Sequence, residues 1–185
     1  MNIIDIITKK RLNQSLSYDE LSYAFNSYLK GSVKDYQMSS LLMAIVINGM
    51  SDEETFSLVD VFIKSGDVLD LSSIKGVKID KHSTGGIGDK ITLIIGPIVA
   101  SLGVIVPKMS GRGLGFTGGT IDKLESIKGF KTSLTESEFI RELKDIGFAI
   151  TSQTSNLCPM DKYIYALRDV TGTTESIPLI ASSIM

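Results

Sequence analysis

Apolar residues recur at the spacing of an α-helix through the first 66 residues of the chain. One stripe runs through Leu21 and Phe25 and ends at Gly31. The segment 38–47 is apolar on nearly all sides, which predicts a central buried helix. Helix starts are marked by two Ser-x-x-Glu capping boxes, Ser17 with Glu20 and Ser51 with Glu54. Residues 1–66 are therefore predicted to form the first part of a helical domain.

Beyond Gly66 the pattern changes to short β-prone runs separated by glycine-rich loops and helices. The predicted strands are 77–80, 104–109 and 148–151. Helices are predicted at 91–102, around 121–127, and after a Thr135–Glu138 capping box as far as Gly147. An alternation of strands and helices is typical of a parallel sheet. The segment 67–157 is therefore predicted to be an α/β domain with a thin sheet.

From residue 158 onward the pattern is helical again, and Pro178 suits the first turn of a helix. The segment 158–185 is predicted to return to the helical domain. The fold class predicted for the whole chain is α/β, with a small all-helical domain beside a parallel-sheet α/β domain.

The composition of the 185-residue chain narrows the functional classes. Its 19 basic and 21 acidic side chains give a formal charge of −2, which argues against a protein that coats nucleic acid. No apolar run approaches the roughly 20 residues that cross a bilayer. Asp5 interrupts the first apolar run, unlike the pattern of a secretory leader. A cytoplasmic protein that binds no membrane is therefore expected.

The chain has one cysteine, Cys158, and one histidine, His82. A single cysteine excludes an intramolecular disulfide, and the two residues offer too few ligands for the usual zinc sites. Cys158 has no histidine near it in sequence, so a buried, inert thiol is expected. His82 lies in a glycine-rich loop, where it is either structural or a donor to a reacting group.

The first glycine-rich loop, 81–89, follows the first predicted strand and opens the helix predicted at 91–102. Glycines let backbone N–H groups converge on an anion, and a helix N-terminus adds partial positive charge. Lys81, Ser83 and Thr92 add an ammonium group and two hydroxyls. The spacing of a nucleotide-binding P-loop is absent. An anion site is the preferred interpretation, and a plain flexible connection is the alternative.

A second glycine-rich loop, 110–120, follows the next predicted strand. Lys108, Ser110 and Thr120 bracket it with donors suited to a small tetrahedral anion. Because the carboxyl ends of neighbouring parallel strands meet at one edge of the sheet, both loops are expected to face a single crevice.

The second loop also contains a GxGxxG pattern, at Gly113, Gly115 and Gly118. In a dinucleotide site an acidic residue follows the next strand and holds the ribose. The segment 148–154 contains no Asp or Glu, which disfavours dinucleotide binding.

Arg168, in the segment YALRDVT, has two interpretations. Its guanidinium either recognises a planar polar ligand or pairs at the surface with Asp169 or Glu175. Taken by itself, the sequence favours the surface interpretation.

Three segments together resemble the pyrimidine-nucleoside and thymidine phosphorylases: KHSTGGIGD at 81–89, KMSGRGLGFTGGTIDKLE at 108–125 and YALRDVT at 165–171. The first segment alone is also similar to anthranilate phosphoribosyltransferases. The resemblance covers the whole chain. Members of the family are longer, so it implies an N-terminal portion of the family's chain, truncated relative to the family, with an incomplete α/β domain.

The resemblance implies reversible phosphorolysis of thymidine, uridine and deoxyuridine to the free base and (deoxy)ribose 1-phosphate, in pyrimidine salvage. It implies the phosphate ligands Lys81, Ser83, Thr92, Lys108, Ser110 and Thr120. It places His82 near the base carbonyl and the sugar, as the catalytic residue. Tyr165, Arg168 and Ser183 are implied to clamp the pyrimidine. It also implies a homodimer formed through the helical domain and a cleft that closes between the domains.

Two positions depart from the family pattern. Phe116 stands where a histidine is usual. Related enzymes hold potassium near Gly88 and a threonine two positions later, but here that position is Lys90, whose ammonium is itself a cation. No organic cofactor is implied.

The alternative function is an inactive truncated remnant that binds phosphate or a partner subunit.

Overall fold

The computed structural model describes residues 1–82, 89–111, 118–153, 156–157 and 159–184. The chain forms two compact units, one of Met1–Val68 with Thr154–Met185 and one of Leu69–Gln153. In chain order the elements are α1 (Ile3–Arg11), α2 (Tyr18–Leu29), α3 (Asp35–Asn48), α4 (Asp52–Ile63), α5 (Thr92–Ser101), β1 (Val106–Ser110), α6 (Thr120–Glu125), α7 (Glu136–Ile146), β2 (Phe148–Ser152), α8 (Pro159–Thr171) and α9 (Ile177–Ile184). No described helix is both long and apolar enough to cross a membrane.

The first unit is a helical bundle of α1–α4 with α8 and α9. Both predicted capping boxes are present, at the starts of α2 and α4. In each box the serine hydroxyl accepts from the backbone N–H three residues on, and the glutamate accepts from the serine backbone N–H. Two N–H groups that the helix itself leaves unpaired are thereby satisfied at each start.

α3 buries only one of its faces. Met38, Leu42 and Ile45 are completely buried in the core of the bundle, where α3 packs against α1 and α8. On the other face Tyr36 and Ile47 are each 72% exposed. The prediction of a helix buried on all sides is therefore wrong for this outer face, because no described helix packs over it.

The second unit contains a parallel pair of strands. β1 and β2 run in register from Val106 opposite Phe148 to Ser110 opposite Ser152. α5 precedes β1, and α6 and α7 lie between the strands, as predicted. Thr135 caps α7, and Gly147 ends it with a left-handed backbone that glycine adopts without strain.

The predicted strand at 77–80 is reduced to a single bridge between Lys78 and Ile105. Two backbone hydrogen bonds connect the segments, from Ile105 to Val77 and from Ile79 to Ile105. Beyond the bridge, the carboxylate of Asp80 accepts the backbone N–H of Lys81, so a side chain satisfies this donor instead of a neighbouring strand. The sheet of the described residues therefore has two strands rather than three.

Gly96 of α5 lies against the ring of Phe148, the first residue of β2. A Cβ atom at this position would lie 2.5 Å from the Phe148 ring. Replacing a helical glycine by alanine ordinarily adds about 1 kcal/mol of stability, but overpacking costs about 1–3 kcal/mol. We therefore expect Gly96→Ala to lower the free energy of unfolding by about 1 kcal/mol, measured by urea unfolding. Ser101→Ala, at an exposed position of α5, is the control and should leave stability nearly unchanged. An increase in stability for Gly96→Ala would contradict this packing.

Candidate functional site in the two units

Asp89 organises a polar cluster at the N-terminal end of α5. Its carboxylate lies 2.7 Å from the Lys81 ammonium and 3.2 Å from the backbone nitrogen of Thr92. The Thr92 hydroxyl also donates to it, and the Lys81 Nζ lies 3.4 Å from the Thr92 Oγ1. Asp89 thus holds together two of the predicted phosphate ligands, and its pair with Lys81 joins the two ends of the first glycine-rich loop.

Asp89 stays ionised over the whole physiological pH range. Burial by itself raises the pKa of Asp89, but hydrogen bonds from Lys81 and Thr92 outweigh burial and bring the pKa down to about 2. The carboxylate is therefore a permanent acceptor for both side chains.

Lys108 provides a second ammonium group in the same unit. Its side chain is only 3% exposed, and its Nζ lies 3.0 Å from the Asp80 Oδ2. Val106, Lys108 and Ser110 lie on the same face of β1, because every second residue of a strand points to the same side. Lys81, Thr92 and Lys108 border one small cavity whose surface is apolar and whose walls include Val106. The structure therefore brings these three predicted ligands together.

The remaining predicted phosphate ligands lie around this cavity or outside the described residues. Ser110 is the last residue of β1 and is half-buried. Thr120 is the first residue of α6 and is buried. Neither lines the cavity. Ser83 lies outside the described residues.

His82 lies directly beside this cluster in sequence and keeps an exposed side chain. Partial desolvation, and then the positive charge of Lys108, lower the pKa of His82 below its usual value. At neutral pH the imidazole is therefore uncharged, so it offers one N–H donor and one nitrogen acceptor.

Two carboxylates of this cluster, Asp80 and Asp89, were not among the predicted site residues. Both were visible in the sequence, since Asp80 precedes Lys81 directly and Asp89 closes the same loop. Lysines gathered to bind an anion repel one another, so acidic residues flanking such a loop are the signal that identifies their counter-ions.

A second polar cluster lies in the helical unit, around Arg168 of α8. Arg168 is 1% exposed, so the surface interpretation is wrong. Its guanidinium donates to the backbone carbonyls of Thr173, Thr174 and Leu179 at 2.8–3.1 Å. These carbonyls follow the end of α8 or belong to α9, so the side chain binds the connection between the two helices.

The predicted pyrimidine clamp lies around this arginine. Arg168 Nη1 also reaches the Ser183 Oγ at 3.4 Å, and Ser183 donates to the buried Asp161. Tyr165 is half-buried on α8. Burial lowers the pKa of Arg168, while the negative charge of Asp161 opposes that effect. Asp161 was not predicted as part of this cluster.

Two family models match the chain. Residues 75–185 match the a/b domain of a glycosyl transferase family, and residues 4–66 match the helical bundle domain of a glycosyl transferase family. The chain belongs to this glycosyl transferase family. The family predicted from the sequence is confirmed.

Relatives within the family are named pyrimidine-nucleoside phosphorylases. The chain is 57% identical over 185 residues to that of Staphylococcus haemolyticus (strain JCSC1435) and 56% identical over 185 residues to that of Geobacillus stearothermophilus. In both comparisons all of this chain is covered, and it spans 43% of the relative's length.

A solved structure shares the fold of this family member. The crystal structure of anthranilate phosphoribosyltransferase from Thermus thermophilus matches with a TM-score of 0.74 at 18% identity. The match covers 97% of this chain and 55% of that chain. The predicted fold class is confirmed.

Potassium does not fit the side chain at its predicted position. Lys90 is exposed, and an ammonium group donates hydrogen bonds but has no lone pair for a cation. Gly88 lies outside the described residues, as do Cys158 and two glycines of the GxGxxG pattern, Gly113 and Gly115. Among the described residues no three His, Cys, Asp or Glu side chains are grouped to hold a metal.

Proposed function

We propose that the chain provides phosphate and base contacts for phosphorolysis of pyrimidine nucleosides. In this reaction a phosphate oxygen bonds to the anomeric carbon of thymidine, uridine or deoxyuridine while the bond from that carbon to the base nitrogen breaks. The products are the free base and (deoxy)ribose 1-phosphate. The observation that carries the proposal is identity of 55–57% along the whole chain to enzymes named pyrimidine-nucleoside phosphorylases.

The phosphate contacts in this proposal come from Lys81 and Lys108. An ammonium group has three N–H donors, and each lysine uses one of them on its carboxylate partner, Asp89 or Asp80. With the Lys81 contact to Thr92 also counted, the described contacts leave one donor of Lys81 and two of Lys108 for an incoming phosphate, while the carboxylate keeps each side chain in place. Donors that are held in position before the ligand arrives lose little freedom when it binds.

The leaving base is the other place where charge develops. As the bond to the sugar breaks, the pyrimidine gains negative charge, which hydrogen-bond donors stabilise. In this proposal the neutral His82 donates its N–H to the base carbonyl. Arg168, Tyr165 and Ser183 bind the base. Phosphate attacks directly, so the proposal needs no covalent intermediate with the protein and no step through potassium.

The proposal is tested by the phosphate-dependent release of uracil from uridine and of thymine from thymidine. The assay uses the chain alone and the chain mixed with the remaining portion of the Geobacillus stearothermophilus relative. That portion alone is the control. We expect release in at least the mixture, and only when phosphate is present. Absence of release in both samples, or release without phosphate, would contradict the proposal.

A second candidate is a non-catalytic chain that binds phosphate or a partner subunit. It is supported by the cluster of Lys81, Thr92 and Lys108 within one unit, which offers donors for an anion without any contact to a base. It predicts that the chain binds phosphate and that Lys81→Met weakens this binding, without turnover in either sample of the assay above. Phosphorolysis by the isolated chain would exclude it.

We further propose that the protein is cytoplasmic and forms a homodimer through its helical unit. Tyr36, Met43 and Ile47 form an exposed stripe on the outer face of α3. Apolar stripes of this kind are typical of protein interfaces. A second copy would bury the stripe on both chains.

Ile47→Asp is expected to shift the chain from dimer to monomer, because a carboxylate in an apolar interface loses its hydration. Sedimentation velocity measures the change. Val170→Asp, at an exposed position of α8, is the control and should remain dimeric. A native chain that is monomeric, or an Ile47→Asp chain that stays dimeric, would overturn this interface.

A further inference from the structure

The hydroxyl of Ser183 has a fixed hydrogen-bond direction in this structure. It carries a single proton, which it donates to the Asp161 carboxylate. Arg168 Nη1 donates to the same oxygen at 3.4 Å. With its proton on Asp161 and one lone pair facing Arg168, the hydroxyl offers a ligand only its other lone pair. Toward a ligand, Ser183 is therefore an acceptor and not a donor.

Three features keep that direction fixed. Asp161 is 8% exposed, and an ionised carboxylate has no proton to donate back. The hydrogen bonds of Arg168 to the described residues take up four of its five N–H groups. Three of those bonds go to backbone carbonyls, so the guanidinium cannot turn away without breaking them. The Ser183 oxygen therefore meets a donor on one side and an acceptor on the other.

We propose that Asp161 is a positioning residue that keeps Ser183 an acceptor and thereby selects bases with a ring N–H. This inference rests on the proposed function, in which this cluster binds the base. Uracil and thymine carry N–H at ring position 3, whereas cytosine carries a lone pair there. A lone pair facing the Ser183 oxygen leaves two acceptors in contact and both unsatisfied, which costs binding free energy.

The preference for uracil over cytosine tests this selection. Both bases are titrated into the chain, and dissociation constants are taken from chemical-shift changes in NMR spectra. We expect the native chain to bind uracil about tenfold more tightly than cytosine or 3-methyluracil, the range expected for an unsatisfied buried polar group.

Asp161→Asn is the decisive variant. An asparagine amide can donate to Ser183, which frees the hydroxyl to turn its own proton toward the ligand. The preference should fall to about threefold or less, because cytosine then gains a donor. Asp161→Glu, which keeps the carboxylate, should retain most of the native preference for uracil. A folded Asp161→Asn chain with the native preference would overturn the proposal.

Ser183→Ala and Ser182→Ala serve if Asp161→Asn does not fold. Ser183 is only partly buried, so removing its hydroxyl leaves little packing to lose. Ser183→Ala should reduce the preference for uracil because the acceptor is gone. Ser182 donates to the Leu179 carbonyl instead, and Ser182→Ala should keep the native preference. An unchanged preference in Ser183→Ala would overturn the proposal.

A ligand-free measurement separates this inference from the proposed function. A hydroxyl proton bonded to a buried carboxylate exchanges slowly with water, so the native chain should show a downfield proton resonance. That resonance should be absent in both Ser183→Ala and Asp161→Asn. If the native chain binds neither base, base binding fails as a function, and the resonance then decides only whether Asp161 holds the Ser183 proton. A native chain without the resonance, or its persistence in Asp161→Asn, would overturn the proposal.

Discussion

Lys10→Met is expected to lower the free energy of unfolding by about 3–5 kcal/mol, the range measured when one partner of a buried ion pair is removed. The Lys10 Nζ lies 2.8 Å from the Glu54 Oε1, and the two side chains are 2% and 4% exposed. Methionine fills a similar volume but leaves the Glu54 charge buried without its partner. Urea unfolding of the native and variant chains measures the difference.

Glu54 has further partners that sharpen this test. Its carboxylate also accepts the backbone N–H groups of Leu16 and Ser51. Burial raises the pKa of Glu54, but the bonds from Lys10 and these N–H groups bring it below its usual value. Leu16 and Ser51 donate to different oxygens of Glu54, so glutamine removes the charge and keeps an acceptor for one of the two N–H groups. The double variant Lys10→Met with Glu54→Gln should therefore recover about half of the lost stability.

Lys9→Met is the matched control for Lys10→Met. Lys9 pairs with Glu20 at 2.7 Å, but those side chains are 34% and 21% exposed. More exposed pairs of this kind contribute about 0–1 kcal/mol. Equal losses of stability for Lys9→Met and Lys10→Met would contradict the claim that burial makes the Lys10–Glu54 pair important.

Lys108→Met is expected to weaken phosphate binding about 100-fold, since a charge-assisted hydrogen bond is worth about 1.5–3 kcal/mol. Lys108 is buried while its partner Asp80 is 42% exposed, so the freed carboxylate can be hydrated. Stability should therefore change little while binding falls. Calorimetric titration of phosphate into each chain measures the loss.

The control for Lys108→Met is Lys144→Met, at an exposed position of α7. This variant also removes one positive charge, but at a position that is far from β1 in the sequence. We expect native phosphate affinity for this variant. If both variants lose affinity equally, net charge and not a specific contact explains binding.

Local signals in the sequence predicted the helices of both units. The capping boxes at Ser17 and Ser51 depend on residues three positions apart, so the sequence displays them completely. The bridge at Lys78 and the outer face of α3 depend on what lies beside them in the fold. Hydrophobic pattern shows that a segment is apolar, but it does not show which face another element covers.

The same distinction applies to the candidate site. The glycine-rich loops after two strands predicted that Lys81 and Lys108 lie together, because the carboxyl ends of parallel strands share an edge. The burial of Arg168 was not predicted, because its partners are backbone carbonyls in the turn after α8. Backbone carbonyls are present at every residue, so no sequence pattern marks them as partners of a particular arginine.

A crystal of the chain grown with inorganic phosphate tests the account most directly. We predict one phosphate ion bound at the cluster of Lys81, Thr92 and Lys108, with an oxygen within hydrogen-bond distance of each lysine Nζ. A crystal at saturating phosphate with the ion bound elsewhere, or with both lysines contacting only their carboxylates, would contradict it.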